Sequence, residues 1–368
     1  MTSSVGGHIM FGDPLRINET WKGGELFTWH GAELVVIPVM MVTGVVGNLL
    51  VLYIYHFRWR SSTVTLIKKM LAGLDLMSLV LVYPPLLYMT VYPDTSSFQL
   101  TCVFTAFVAL ETAMASACVL VIIAVDRFMR LCLLRKSGVQ TSLVKKLSAG
   151  GVILSGVINI PCGWIFDKSI IYFHNYNVKI THCFITTGSD QTTIFFIYTS
   201  LLGIVFIVVF TALFALYYKI IKTLRQLSTR HDQMRHSNSI SRRPENVTGQ
   251  SQSDVMKQSA MVFIAITVVF FTSYSLYFVA IVLSVPDISL VSDMGPTFKA
   301  VYDLAKLGPL VNNIANPIIY SFTSDRFRDE VKRMLTFRSW RSGFFQKRVC
   351  TLGCNTQDVS LSVPIEHV

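Results

Sequence analysis

The chain has 368 residues, 52% of them hydrophobic and 14% charged, with a mean hydropathy of +0.52. Soluble domains carry about 25% charged residues, so the composition excludes an ordinary soluble domain and points to a polytopic membrane protein. The net charge is +11, and its placement along the chain ties it to a membrane rather than to nucleic acid.

Residues 1–30 are polar and Gly-rich and hold the sequon Asn18-Glu19-Thr20. They lack the apolar core of a cleavable signal peptide, so the first span is expected to do the targeting. Seven apolar segments follow, at about 32–56, 64–91, 99–132, 145–166, 192–221, 257–285 and 297–322. Each is long enough to cross a hydrocarbon core of ~30 Å as a helix, and none alternates with period two as a barrel strand does. The expected fold is all-α: a seven-transmembrane helix bundle over residues 31–322. The tail, 323–368, opens with a short amphipathic helix from Asp325 to Leu335. The stretch 222–256 between spans five and six is polar, contains Ser228, Thr229, Ser237, Ser239 and Ser241 among arginines, and is expected to be flexible and phosphorylatable.

Lysine and arginine placement sets the orientation. The connection after span one has four, that after span three six, the stretch after span five eight and the tail eight. Only Arg16, Lys22, Lys168, Lys179, Lys299 and Lys306 fall on the other side. The amino terminus is therefore expected outside the cell and the tail inside. Asn18 then becomes a glycosylation candidate, and the second sequon, Asn246-Val247-Thr248, falls inside and is inert. Cys102, at the outer end of span three, and Cys183, in the outer loop 167–191, both face an oxidising compartment, which favours a disulfide over two free thiols. Cys118, Cys132 and Cys162 read as packed thiols. Within that loop, Ile170–Phe173 and Val178–Thr181 flank a turn-prone centre, His174-Asn175-Tyr176-Asn177, and predict a hairpin.

Five signatures, in order, resemble the rhodopsin-like family of G-protein-coupled receptors across roughly residues 30–335. They are Gly47-Asn48, Leu71-Ala72-Gly73-Leu74-Asp75, the variant triplet Asp126-Arg127-Phe128, Asn316-Pro317-Ile318-Ile319-Tyr320, and Phe327-Arg328 at the start of the amphipathic segment. The resemblance implies a plasma-membrane receptor that turns an extracellular ligand into activation of a heterotrimeric G protein, with arrestin and receptor kinases as further partners and lipid as surroundings. It implies coupling roles for Asp126, Arg127, Tyr217, Tyr274, Asn316, Pro317 and Tyr320. Arg127 is expected to pair with Asp126 at rest, and Pro317 to kink span seven. Asp75 in mid-membrane should face the bundle interior. The resemblance supplies Asn48, Ser116, Asn312 and Asn316 as its partners, either as a sodium and water site through Asp75 and Ser116 or as a hydrated network without a specific ion. No other cofactor is expected.

Departures are equally specific. Ser273-Tyr274-Ser275-Leu276 stands where the family has C-W-x-P, Val209 where span five has a proline, and Met256 where an acid would face Arg127; Asp254 is the nearest acid. Span four lacks its usual tryptophan. Ala109 replaces the aspartate of amine receptors and Leu310 the lysine of opsins, so the resemblance argues against amines and retinal as ligands. The pocket that the resemblance implies has Ala109, Ala113, Tyr277, Phe278, Tyr302 and Lys306. Lys306 either receives a ligand carboxylate or pairs with Asp303, and Glu111 faces span four or the ligand. A neuropeptide or peptide hormone fits the hairpin and aromatic pocket best, with a lipid as the alternative. A transporter should show internal repeats, which are not visible, and a non-signalling scaffold would not need Arg127 and the span-seven motif. No catalytic constellation is visible, so no enzyme is expected. Cys350 and Cys354 are candidate palmitoylation sites.

Overall fold

The computed structural model describes residues 25–93, 95–135, 138–173, 178–185, 189–238, 252–284 and 296–335. Asn18, Asn246, Cys350, Cys354 and the hairpin centre 174–177 lie outside these residues.

Among the described residues, six helical segments are long and apolar enough to cross a membrane, and a seventh crossing is made of two consecutive helices. In chain order, α1 is Glu25–Tyr53, continued by a π turn, Ile54–Arg58, and α2 is Thr63–Leu81. Then come α3, Tyr83–Val91; α4, Phe98–Leu131; α5, Thr141–Asn159; and α6, Cys162–Ile165. The hairpin β1, Phe166–Phe173, and β2, Val178–Ile185, precedes α7, Ser189–Asn238, and α8, Gln252–Ser284. Helices α9, Pro296–Lys306, and α10, Gly308–Thr323, form the seventh crossing, and α11, Asp325–Leu335, is the amphipathic end piece.

Prolines set most of the breaks. Proline has no N–H to donate and its ring meets the preceding turn. Pro84 and Pro85 therefore divide the second span into α2 and α3, with Val82 N donating to Ser78 O at 3.0 Å as the last bond of α2. Pro161 parts α5 from α6, and Pro309 opens α10 just after the break at Leu307. Pro38 and Pro317 stay inside helices, which packing in a bundle tolerates.

Three expected boundaries are corrected. Helix α1 begins at Glu25, ahead of the expected 32, α7 runs on to Asn238 instead of ending near 221, and α8 begins at Gln252, ahead of the expected 257. The first part of the polar stretch 222–256, up to Asn238, is thus helical. Its Lys, Leu, Arg and Gln residues are good helix formers, and Ile220 and Leu224, one turn apart, are both buried and fix the start of the extension to the bundle.

Helix α4 is the axis of the bundle. Half of its apolar window is buried, against 6% for α7, whose Ile204, Ile207, Val208 and Phe214 face outward as lipid-exposed residues should. At one end of the axis, Cys102 of α4 is disulfide-bonded to Cys183 of β2. The strands pair antiparallel from Phe166↔Ile185 to Phe173↔Val178, longer on both sides than the sequence indicated. At the other end, Phe327 of α11 is buried, its ring 6.1 Å from those of both Tyr55 and Tyr320. Arg328 donates to Ser321 O at 3.1 Å and Phe322 O at 2.9 Å, which satisfies carbonyls at the end of α10.

The disulfide carries a simple expectation. Dithiothreitol lowers the unfolding midpoint of the wild-type protein, by about 2–4 kcal/mol in stability, and leaves a Cys102→Ser/Cys183→Ser variant unmoved. Equal sensitivity of the two proteins in a thermal scan would show that another bond is responsible.

Candidate functional site: a cavity, a polar core and a buried ion pair on one axis

A cavity of about 370 Å³ opens beneath the hairpin. All six pocket residues expected from the sequence, Ala109, Ala113, Tyr277, Phe278, Tyr302 and Lys306, line it. So does Tyr274, whose ring lies 4.6 Å from that of Phe270. The walls are mainly apolar and aromatic, and the charged groups gather at one end, where α1 meets α9. There Lys306 Nζ lies 2.8 Å from Asp303 Oδ1 and 4.7 Å from the centre of the Tyr302 ring. His30 Nδ1 lies 2.9 Å from Glu33 Oε2. Of the two roles open to Lys306, the structure contains the pairing with Asp303.

Glu111 faces span four. Ser155 Oγ donates to it at 2.7 Å and Asn159 Nδ2 at 3.4 Å, while Tyr198 OH donates to Asn159 Oδ1 at 2.9 Å. Because Tyr198 also lines the cavity, this chain of bonds connects the cavity wall to spans three and four. Asn159 and Tyr198 were not legible as site residues, since a polar residue in an apolar run shows its partner only once the helices are packed.

Midway along the bundle, Asp75 is 1% exposed and accepts from Asn316 Nδ2 at 2.7 Å. Asn48 donates to Asn313 O at 2.8 Å and to Gly44 O at 3.0 Å, and Asn313 Nδ2 donates to Ser78 Oγ at 2.7 Å. The structure thus brings Asp75 and Asn316 together but joins Asn48 to Asn313. Ser116 and Asn312 are buried as well, yet neither hydrogen-bonds to Asp75 or Asn48. Sequence reasoning missed Asn313 and Ser78. The signal was present: Asn313 stands one turn before Asn316, on the same helical face.

At the far end of α4, Arg127 Nη2 lies 3.2 Å from Asp126 Oδ2, and both residues are buried. Asp126 is held further by Arg130 Nε at 3.1 Å and by the backbone N–H of Val139 at 2.9 Å. The Phe263 ring lies beneath Arg127, 5.7 Å from its guanidinium carbon. Tyr217 and Thr267 join spans five and six through a 3.1 Å hydroxyl bond. Tyr320 is buried, and its hydroxyl has no partner among the described residues. Lys68, one of the residues that set the expected orientation, turns inward: its Nζ donates to Tyr55 OH at 2.8 Å and sits 4.7 Å from the Tyr320 ring. Lys68 lies two turns before Asp75 on the same face, which is the clue the sequence offered.

A helical membrane bundle with a polar-ended cavity, a buried carboxylate at mid-depth and a buried Asp-Arg pair has the architecture of a transmembrane receptor. The sequence matches the 7 transmembrane receptor (rhodopsin family) over residues 47–320, and the chain belongs to that family. No curated protein sequence matches it.

Proposed function

We propose that this receptor converts binding of an extracellular peptide, of the neuropeptide or peptide-hormone kind, into activation of a heterotrimeric G protein. The observation that carries the reading is that one helix joins both ends. Helix α4 lines the cavity with Ala109 and Ala113 and finishes in the buried Asp126–Arg127 pair. Ligand bound in the cavity favours a state in which span six, whose Phe263 ring lies against Arg127, has moved away from it, and the free energy of that preference is the signal. The excess of lysines and arginines on the Arg127 side supports an extracellular amino terminus and a cytoplasmic tail. The hairpin held over the cavity and the aromatic walls support a peptide. The apolar majority of the lining supports a second reading, a lipid with a small polar head.

Sodium fits the polar core as an allosteric ion. Asp75 supplies a carboxylate, and the side-chain oxygens of Asn48 and Asn316 are buried without a hydrogen-bond partner among the described residues. Those oxygens are hard donors of the kind a small cation takes.

A peptide library and a lipid library screened on cells expressing the chain, read by calcium and cyclic AMP, test the reading. Each active compound is then compared in sodium and choline buffers. A peptide hit with a sodium-dependent potency is expected. Hits from lipids alone would overturn the peptide assignment, and substrate uptake without a G-protein response would overturn the receptor mechanism.

A further inference from the structure

The charged end of the cavity holds a cluster that the mechanism above does not use. His30 and Glu33 stand one turn apart on α1, and Asp303 comes from α9 across the helix interface. The side chains are nearly shut off from solvent: 4% exposed for His30, 12% for Glu33 and 1% for Asp303. One ligand-type atom from each residue lies within 4.8 Å of those of the other two. His30 Nδ1 and Glu33 Oε2 are already 2.9 Å apart. Tetrahedral zinc, with bonds of about 2.0–2.2 Å, places neighbouring ligand atoms roughly 3.4 Å from one another. The widest separation therefore has to close by only about 1.4 Å.

We propose that His30, Glu33 and Asp303 bind a divalent transition-metal ion, zinc by preference, at the charged end of the cavity. An imidazole nitrogen with two carboxylates is a zinc donor set. Calcium would need six or more oxygens, and copper(I) would need sulfur. The two carboxylates outnumber the one ammonium, that of Lys306, which favours an added cation. Lys306 plays two opposed parts. Its bond to Asp303 orients that carboxylate, as outer partners of metal ligands do, and its own charge repels the ion. Moderate affinity follows, in the micromolar range and not that of a structural zinc. The cavity gives the ion a route in, and the fourth position faces the same cavity, open to water or to a donor atom of the ligand. Because the ligands come from the first and seventh spans, the bound ion ties those two helices together. The competing description is two self-contained ion pairs, His30 with Glu33 and Lys306 with Asp303, that need no ion.

The test uses the full-length receptor, purified in detergent and stripped with EDTA, with zinc chloride as the probe. Zinc is expected to raise the unfolding midpoint, and competition with a fluorescent zinc indicator is expected to show one more ion per wild-type receptor than per Glu33→Gln receptor. Affinity at that site falls at least about ten-fold in Glu33→Gln and in His30→Asn. Magnesium at the same concentration has no effect. Equal zinc uptake by wild type and both variants overturns the proposal, because the metal is then held by other histidines or cysteines. Should the variants fail to fold, cobalt(II) added to the wild-type receptor decides. Ligand-field absorption of low-coordinate cobalt, without a thiolate charge-transfer band and displaced by one equivalent of zinc, supports the site. Its absence overturns it.

Discussion

Replacing Arg127 by alanine is expected to abolish agonist-driven nucleotide exchange while leaving the receptor at the cell surface. The structure gives the reason that the fold survives. Asp126 does not lose its only partner, since Arg130 Nε at 3.1 Å and Val139 N at 2.9 Å still hold its carboxylate. The reverse change is different in kind. Asp126→Ala leaves a guanidinium that is 4% exposed without its counter-charge, and orphaning a buried charge costs about 3–5 kcal/mol. Arg127→Ala should therefore express normally and signal nothing, and Asp126→Ala should express poorly. Exchange measured on membranes, with surface protein quantified in parallel, separates the two. Undiminished exchange in a well-expressed Arg127→Ala receptor would sink the coupling mechanism.

The second large effect is expected at Gly308. This residue opens α10 where spans six and seven touch, and a Cβ added there would lie 2.3 Å from the carbonyl oxygen of Ser273. The obstacle is backbone, which cannot rotate away. Gly308→Ala must force the two helices apart or shift α10 along its axis. Overpacking of this kind costs about 1–3 kcal/mol, so the unfolding midpoint of the purified receptor should fall by several degrees. Gly150→Ala is the control: nothing lies within 4 Å of the added atom, and alanine is the better helix former, so stability should hold or rise slightly. Equal midpoints for the two variants would mean that α8 and α10 are not in contact at this point. The contact lies at Ser273-Tyr274, where the sequence departs from the family's C-W-x-P pattern. A glycine in span seven thus accompanies a sixth helix without that pattern's proline.

How much of this was legible beforehand differs with the physical range of each interaction. Span number and position were legible because burial in lipid requires a continuous apolar run, which is a local property. The disulfide partners could be paired because loop topology left Cys102 and Cys183 on one face. Six of the residues that line the cavity were legible through a family resemblance that places them by position, whereas Tyr198, which lines it too, was not. Helix ends were less so. The run of α7 to Asn238 required knowing that Ile220 and Leu224 pack inward, and polarity alone argued for a flexible stretch.

By itself the sequence determined a seven-helix membrane receptor whose third span forms the axis. Hydropathy, charge asymmetry and short motifs are each carried by neighbouring residues. Only the tertiary structure decided how the polar residues are partnered. Lys306 pairs with Asp303, Asn48 with Asn313, and Glu111 with Ser155 and Asn159. The cluster of His30, Glu33 and Asp303 also belongs to this second group, since it joins residues from opposite ends of the chain. A buried polar group is stable only beside a partner, and which partner it meets depends on how the helices rotate and pack, which no single segment encodes.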